Sequence, residues 1–407
     1  MNLHLLYIDP GTGSALFSIL IGAAATLYFL GRALVIKLKV VFSGGKVAAT
    51  ASMEHPFVIY NEGKQYWNVF KPVLDEFENR KVMILYLTSA QDDPVFDTSW
   101  NFVKAEFIGE GNRAFARLNM LRAGICLMST PGLDVYQLKR SKMVKHYAHI
   151  LHAPSDATMY RLFGIDYFDS ILLTGDYQAE DIRTLEHQRN ISEKKLITVG
   201  CSYLDVYAEK IKNLPAEKKH PFTVLISPSW GPSALLTRYG EKLLDPLSAT
   251  DWRIIIRPHP QSKKSETATL ERLQTRYKKS ANIEWDNERE NIYSLCKADI
   301  MISDFSGIIF DYMFLCDKPV LYVTQDFDLR PYDADDLGHE LWQFITVKEA
   351  GIELTENDFP RITEIIKNVG DSETLKTARK KARETAWQYP GEAGKRVFEF
   401  MTEVVNG

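Results

Sequence analysis

Three short loops and one histidine carry the residue types that could handle a phosphate group. The first loop is Ser303-Asp304-Phe305-Ser306-Gly307, set between an apolar strand-like stretch, 299–303, and an apolar helical run, 308–315. A polar turn that opens a helix offers free N–H groups and the positive end of a dipole, which together attract an anion. Ser303 and Ser306 would add hydroxyl donors. The same residue types also serve as a plain helix cap with no ligand, so both readings stand. The second loop is Arg257-Pro258-His259-Pro260. Its prolines hold it stiff, Arg257 offers a planar donor fork suited to phosphate, and His259 can hydrogen-bond or protonate. The bland alternative is an arginine on carbonyls and a histidine in a turn. The third loop is Pro228-Ser229-Trp230-Gly231-Pro232-Ser233, where Ser229 and Gly231 precede a helix expected over 234–244 and mark a second phosphate-facing helix start. The histidine is His152. It ends a strand expected over 147–152, before Ala153-Pro154-Ser155-Asp156. An imidazole there could act as general base, or be purely structural. Asp156 and Asp304 are the carboxylates placed to orient these groups.

Elements must bring the four pieces together. Strand-like and helix-like segments alternate with short links from residue 54 onward, which argues parallel sheets covered on both faces. The alternation breaks near Gly200 and restarts at residue 223. The chain therefore divides into a first Rossmann-like half, 54–204, a second, 205–388, and a terminal helix within 389–407. A helix over 157–163 follows His152, and 210–221 is an exposed link. Ligands of such sheets collect at the carboxyl ends of the strands, where all four pieces lie. His146, His149 and His152 alternate faces along one strand, so a three-histidine metal site is not expected. Residues 326–339 hold five aspartates and no lysine and read as a solvated acidic loop.

The 407-residue chain has a net charge of −4, which carries no nucleic-acid signature. Four isolated cysteines, Cys126, Cys201, Cys296 and Cys316, read as buried reduced thiols, with no metal-ligand spacing. Segment 14–38 is apolar and long enough to span a hydrocarbon core, between an N-terminal piece, 1–13, and a linker, 39–53. Arg32, Lys37, Lys39 and Lys46 lie on its carboxyl side and residues 1–13 hold no Lys or Arg, which predicts the body on the cytoplasmic side of an inner membrane. A helix lying in the membrane interface is the alternative.

Taken in order and spacing, Pro228-Ser229-Trp230, Arg257-Pro258-His259-Pro260, Ser303-Asp304-Phe305-Ser306, Phe310-Asp311-Tyr312 and Lys318-Pro319 resemble the CDP-glycerol glycerophosphotransferases, the teichoic-acid primases and polymerases. The resemblance implies a GT-B architecture, with two Rossmann-like domains facing across a cleft. It implies His152 as base, although only the histidine of the family's Trp-His-Gly-Thr-like motif is present. It implies His259 as the second functional histidine, and Ser303 and Ser306 on the donor diphosphate. Gly307 stands where the family has a further serine, and its N–H could take over that contact. The expected activity is transfer of a phospho-alditol from a CDP-linked donor to a hydroxyl of a lipid-linked or polymeric acceptor at the membrane. Arg257, Ser229 and Gly231 would complete the diphosphate site. No cofactor or metal is firmly implied, and no nucleic-acid partner. The alternatives are a nucleotide-sugar transferase of the same fold and a non-catalytic membrane scaffold.

Overall fold

The computed structural model describes residues 55–215, 220–288, 290–323, 328–370 and 372–407. The expected N-terminal piece, membrane helix and linker, 1–53, lie outside the described residues. Among the described residues, no helix is long and apolar enough to cross a membrane.

Short apolar runs form two all-parallel sheets. The first joins β1 (His55–Asn61), β2 (Ile84–Thr88), β3 (Val103–Phe107), β4 (Ala123–Met128), β5 (Val144–Ile150), β6 (Ser170–Leu173) and β7 (Lys195–Thr198) in the order β3-β2-β1-β4-β5-β6-β7. The second joins β8 (Thr223–Ile226), β9 (Arg253–Ile256), β10 (Ile283–Trp285), β11 (Ile300–Ser303), β12 (Val320–Val323) and β13 (Ile352–Leu354) in the order β10-β9-β8-β11-β12-β13. Val224, Ile254 and Ile302 on one face and Leu225, Ile255 and Met301 on the other are all buried because helices cover both faces, the condition under which a parallel strand can be apolar throughout. In each sheet the order reverses beside the first strand, between β1 and β4 and between β8 and β11. A crevice opens there at the carboxyl edge.

The helices show why they pack. In Trp67–Asn79, Val69, Phe70, Val73, Leu74 and Phe77 fall on one face and are buried. Ile308–Cys316 instead buries Ile309, Phe310, Tyr312, Met313 and Phe314 all around, as it lies between its sheet and helix Glu373–Ala386. It ends at Asp317, a left-handed residue (φ 49°) whose carboxylate receives Arg379 at 2.9 Å.

The two halves are sewn together within one compact unit, residues 55–407. Gln388 N–H donates to the Thr174 carbonyl at 3.1 Å. A Cβ on Gly175 would meet the Thr385 carbonyl at 2.1 Å, and one on Gly200 (φ 94°) the Gln388 carbonyl at 2.5 Å. Both glycines let the returning chain lie against the first half. Asp205 accepts from Trp387 Nε1 at 2.8 Å and from Gly391 N at 2.7 Å, which starts the terminal helix Ala393–Asn406. That helix is no free appendage. Val397, Phe398, Phe400 and Met401 complete the core of the first half.

Several expectations need correction. The segment after His152 forms only a single 3-10 turn, Ala157–Met159, since Asp156 is drawn elsewhere. Residues 210–212 end helix Ser202–Lys212 rather than a link. The acidic segment is not solvated throughout: Asp333 is 0% exposed and accepts from Phe163 N (2.7 Å), Gly164 N (3.2 Å) and Arg189 (2.7 Å). Cys126 and Cys201 are buried, while Cys296 and Cys316 are partly exposed; all four are free. Helix Trp342–Ala350 and β13 were not anticipated.

Candidate active site

Three adjacent strands of the second sheet, β9, β8 and β11, deliver the three loops to one carboxyl edge. At the end of β11 the serines separate in role. Ser303 is fully buried and its Oγ donates to the Ser227 carbonyl at 2.6 Å, so it ties β11 to β8 and faces no ligand. Ser306 and the exposed Gly307 instead line a cavity of about 360 Å³ with Phe305, Phe310, Tyr322 and Gln343. The N–H groups of Gly307 and Ile308 have no partner among the described residues. A Cβ on Gly307 would meet nothing within 4 Å. This is an open helix N-terminus.

Asp304 closes the other helix start. Its carboxylate accepts from Ser229 N at 2.8 Å and Leu235 N at 2.9 Å, so it caps helix Leu235–Ser248 across the crevice. The expectation of a second phosphate-facing helix start at Ser229 and Gly231 is corrected by that occupancy. Gly231 serves the loop's backbone instead, at φ 100°. Asp304 orients no histidine, which also corrects its expected role. Burial raises its carboxyl to about 6, against the lowering effect of the N–H groups it accepts.

Arg257 is committed as well. Its Nη1 donates to Asp286 at 2.6 Å and its Nη2 to the Glu288 carbonyl at 2.9 Å, so the fork braces the loop after β10. His259 is better placed. Its Nδ1 accepts from Gln261 N at 3.1 Å, which puts the proton of the neutral ring on Nε2. Burial lowers its pKa, and Trp230 from the loop after β8 stacks on it at 6.2 Å. Neutral His259 is thus a hydrogen-bond donor.

His152 stands just past the end of β5. Tyr66 meets its ring edge-on at 4.8 Å, and Tyr160 Oη lies 3.2 Å from its Nδ1. Burial pulls its pKa down to about 4, so the ring is neutral. Asp156 does not orient it. Both Asp156 oxygens accept from the start of helix Trp342–Ala350, Trp342 N at 3.2 Å and Gln343 N at 2.8 Å. Gln343, Phe344, Val347 and Lys348 of that helix line the cavity at Ser306. Asp156 therefore couples the histidine's loop to the wall of the other half's cavity. A second cavity of about 630 Å³ opens at the carboxyl ends of β1, β2 and β3, lined by Glu62, Lys64, Gln65, Ser89, Asp92 and Glu110. Among the described residues no cluster could hold a metal ion.

Sequence reasoning missed Tyr160 and gave Asp311, seen only as part of Phe310-Asp311-Tyr312, no role. Tyr160 follows His152 by eight residues with no motif to mark it. Asp311 is buried beneath the open helix start and accepts from Tyr203 and from Asn291 Nδ2 at 3.1 Å, and burial raises it to about 6.

A two-sheet α/β protein with a phosphate-suited helix start at a strand-order reversal is the class this geometry defines. Solved structures share the fold. The wall teichoic acid polymerase TagF, soaked with CDPG, is 13% identical, with 92% of this chain and 97% of that chain covered and a TM-score of 0.55. The UDP-GlcNAc 2-epimerase of Methanocaldococcus jannaschii, in complex with UDP-GlcNAc and UDP, is 14% identical, with 86% and 99% covered and a TM-score of 0.56. No curated protein matches the chain in sequence. The sequence profile of the CDP-glycerol:poly(glycerophosphate) glycerophosphotransferases matches residues 175–400, more than half of the chain. The chain belongs to that family: it is a glycerophosphotransferase that uses a CDP-glycerol-type donor.

Proposed function

We propose that this enzyme moves glycerol phosphate from CDP-glycerol to a hydroxyl of a lipid-linked or polymeric envelope acceptor, with segment 14–38 holding it on the cytoplasmic face of the membrane. The observation that carries the reading is the open helix start at Ser306 and Gly307, with two unpartnered N–H groups beside a cavity. The donor diphosphate sits there, on the Gly307 and Ile308 N–H groups, the Ser306 hydroxyl and His259 Nε2–H. The acceptor enters from the first half, whose larger cavity at β1–β3 is lined by polar groups suited to hydroxyls. Its oxygen attacks the glycerol-bearing phosphorus. The bond from that phosphorus to the bridging oxygen breaks, CMP leaves, and His152 takes the acceptor's proton at Nε2. The donor's negative charge raises the basicity of His152 from its resting value. Donor-side N–H groups meet the charge that gathers on the leaving CMP, and positioning supplies most of the rest.

Two variants test this. Gly307→Pro deletes one N–H, and its φ of −60° suits the proline ring. We expect CDP-glycerol binding, read by calorimetry, to weaken about 10-fold with an unchanged melting temperature. His152→Ala should cut CMP release about 10²-fold or more. Unchanged donor affinity in the first, or normal turnover in the second, overturns the corresponding assignment. Deleting 1–53 should move the protein from the membrane fraction to the supernatant; persistence at the membrane rejects the anchor.

A further inference from the structure

Tyr160 joins two histidines. Its Oη lies 3.2 Å from His152 Nδ1 and 3.1 Å from His149 Nε2. His149 is fully buried, and its Nδ1 has no hydrogen-bond partner among the described residues. One phenol hydrogen cannot serve both rings. Either Tyr160 donates to His152 and receives from His149, or it donates to His149 and receives from His152. The first arrangement leaves the proton of neutral His152 on Nε2. The second puts it on Nδ1 and leaves the Nε2 lone pair open.

We propose that Tyr160 is a positioning residue that donates to His149 and accepts from His152 Nδ1–H, and so keeps His152 Nε2 as the acceptor of the substrate's proton. One observation favours this arrangement, and two more bear on what it does for His152. The Phe168 ring lies 5.0 Å from that of His149, and an aromatic face can receive the N–H that this arrangement leaves on Nδ1, but not a lone pair. His149 cannot draw the charge away, because full burial, with His152 nearby, pulls its pKa down to about 3. The proton taken by His152 therefore stays on His152 until product leaves. Tyr66 packs edge-on against the His152 ring, and with Nδ1 held by Tyr160 it limits the ring's rotation. Tyr160 itself is fixed from the other half, since its carbonyl accepts from Asp333 N at 2.9 Å.

The inference rests on His152 as the base, and its test reads the two apart. In the ¹⁵N-histidine-labelled full-length protein at neutral pH, the two nitrogens of His152 should give distinct shifts, Nδ1 of the protonated pyrrole type and Nε2 of the bare pyridine type. Tyr160→Phe should merge them towards the average of mixed tautomers. It should also lower kcat about 10-fold with KM for CDP-glycerol within twofold of wild type, and lower the melting temperature by only a few degrees, the cost of the buried His149 Nε2 that it strands. A wild-type spectrum with the proton on Nε2, or a Tyr160→Phe enzyme with unaltered shifts and kcat, overturns the proposal. Normal turnover in His152→Ala would instead reject His152 as base, while the spectrum would still decide what Tyr160 does.

Discussion

Asp156, beyond β5 of the first sheet, and Asp304, at the end of β11 of the second, invite comparison. Each follows the carboxyl end of a strand, each is nearly fully buried, and each accepts from backbone N–H groups with both carboxylate oxygens, Asp156 from the start of one helix and Asp304 from the loop residue Ser229 and the start of another. The difference lies in whose helix it is. Asp304 stays within its own half and closes the loop after β8 over the crevice. Asp156 reaches out of the first half and holds the helix that walls the second half's cavity. The same kind of bond therefore shapes one cavity's loop in one place and ties the two halves together in the other.

The largest break in this comparison should come from Asp304→Ala. It strands the buried Leu235 N–H and the half-buried Ser229 N–H, and we expect a loss of about 3 kcal/mol in urea unfolding, with donor binding abolished. Asp156→Ala should cost a similar amount, about 3 kcal/mol, because it strands the buried Gln343 N–H and the half-buried Trp342 N–H. Its signature is kinetic: kcat should fall about 10-fold while CDP-glycerol affinity holds, as base and donor are no longer held in register. Equal losses of affinity and kcat would erase the distinction between the two aspartates.

Acidity sharpens it. Asp156 and Asp304 are both raised to about 6, so folding holds their protons more tightly than the unfolded chain does. Stability from such a group is fully present below about pH 4 and is lost as pH rises through 6. His149 and His152, lowered to about 3 and 4, act oppositely and withdraw stability as pH falls below 6.5. The deficit of Asp304→Asn relative to wild type should therefore shrink between pH 4 and pH 6.5, by up to about 3 kcal/mol, in unfolding titrations at several pH values. A constant deficit would mean that the carboxyl titrates normally. The smallest effect belongs to Gly307→Ser. With open space at its Cβ, stability should change by less than about 0.5 kcal/mol, and an added hydroxyl should leave donor affinity equal or improved.

The parallel sheets were readable because buried strands announce themselves as short apolar runs: β11 and the helix after it lie where the apolar stretches 299–303 and 308–315 put them. So was the turn at Ser306 and Gly307. The roles of Ser303, Arg257 and Asp304 were not. A hydroxyl that ties two strands, a fork that braces a loop and a carboxylate that caps a helix have the same composition as a diphosphate site, and only partners distant in sequence tell them apart. Asp156 and Asp333 failed for the same reason: their partners lie in the opposite half, and local pattern carries no trace of them.

The helix Ala393–Asn406 has a consequence for synthesis. The first half emerges from the ribosome complete in its strands yet lacking Val397, Phe398, Phe400 and Met401, which its core awaits until the whole second half has been made. An early-folding front half would expose that greasy groove to chaperones and to neighbouring chains. Any attempt to express the two halves separately should graft this helix onto the first.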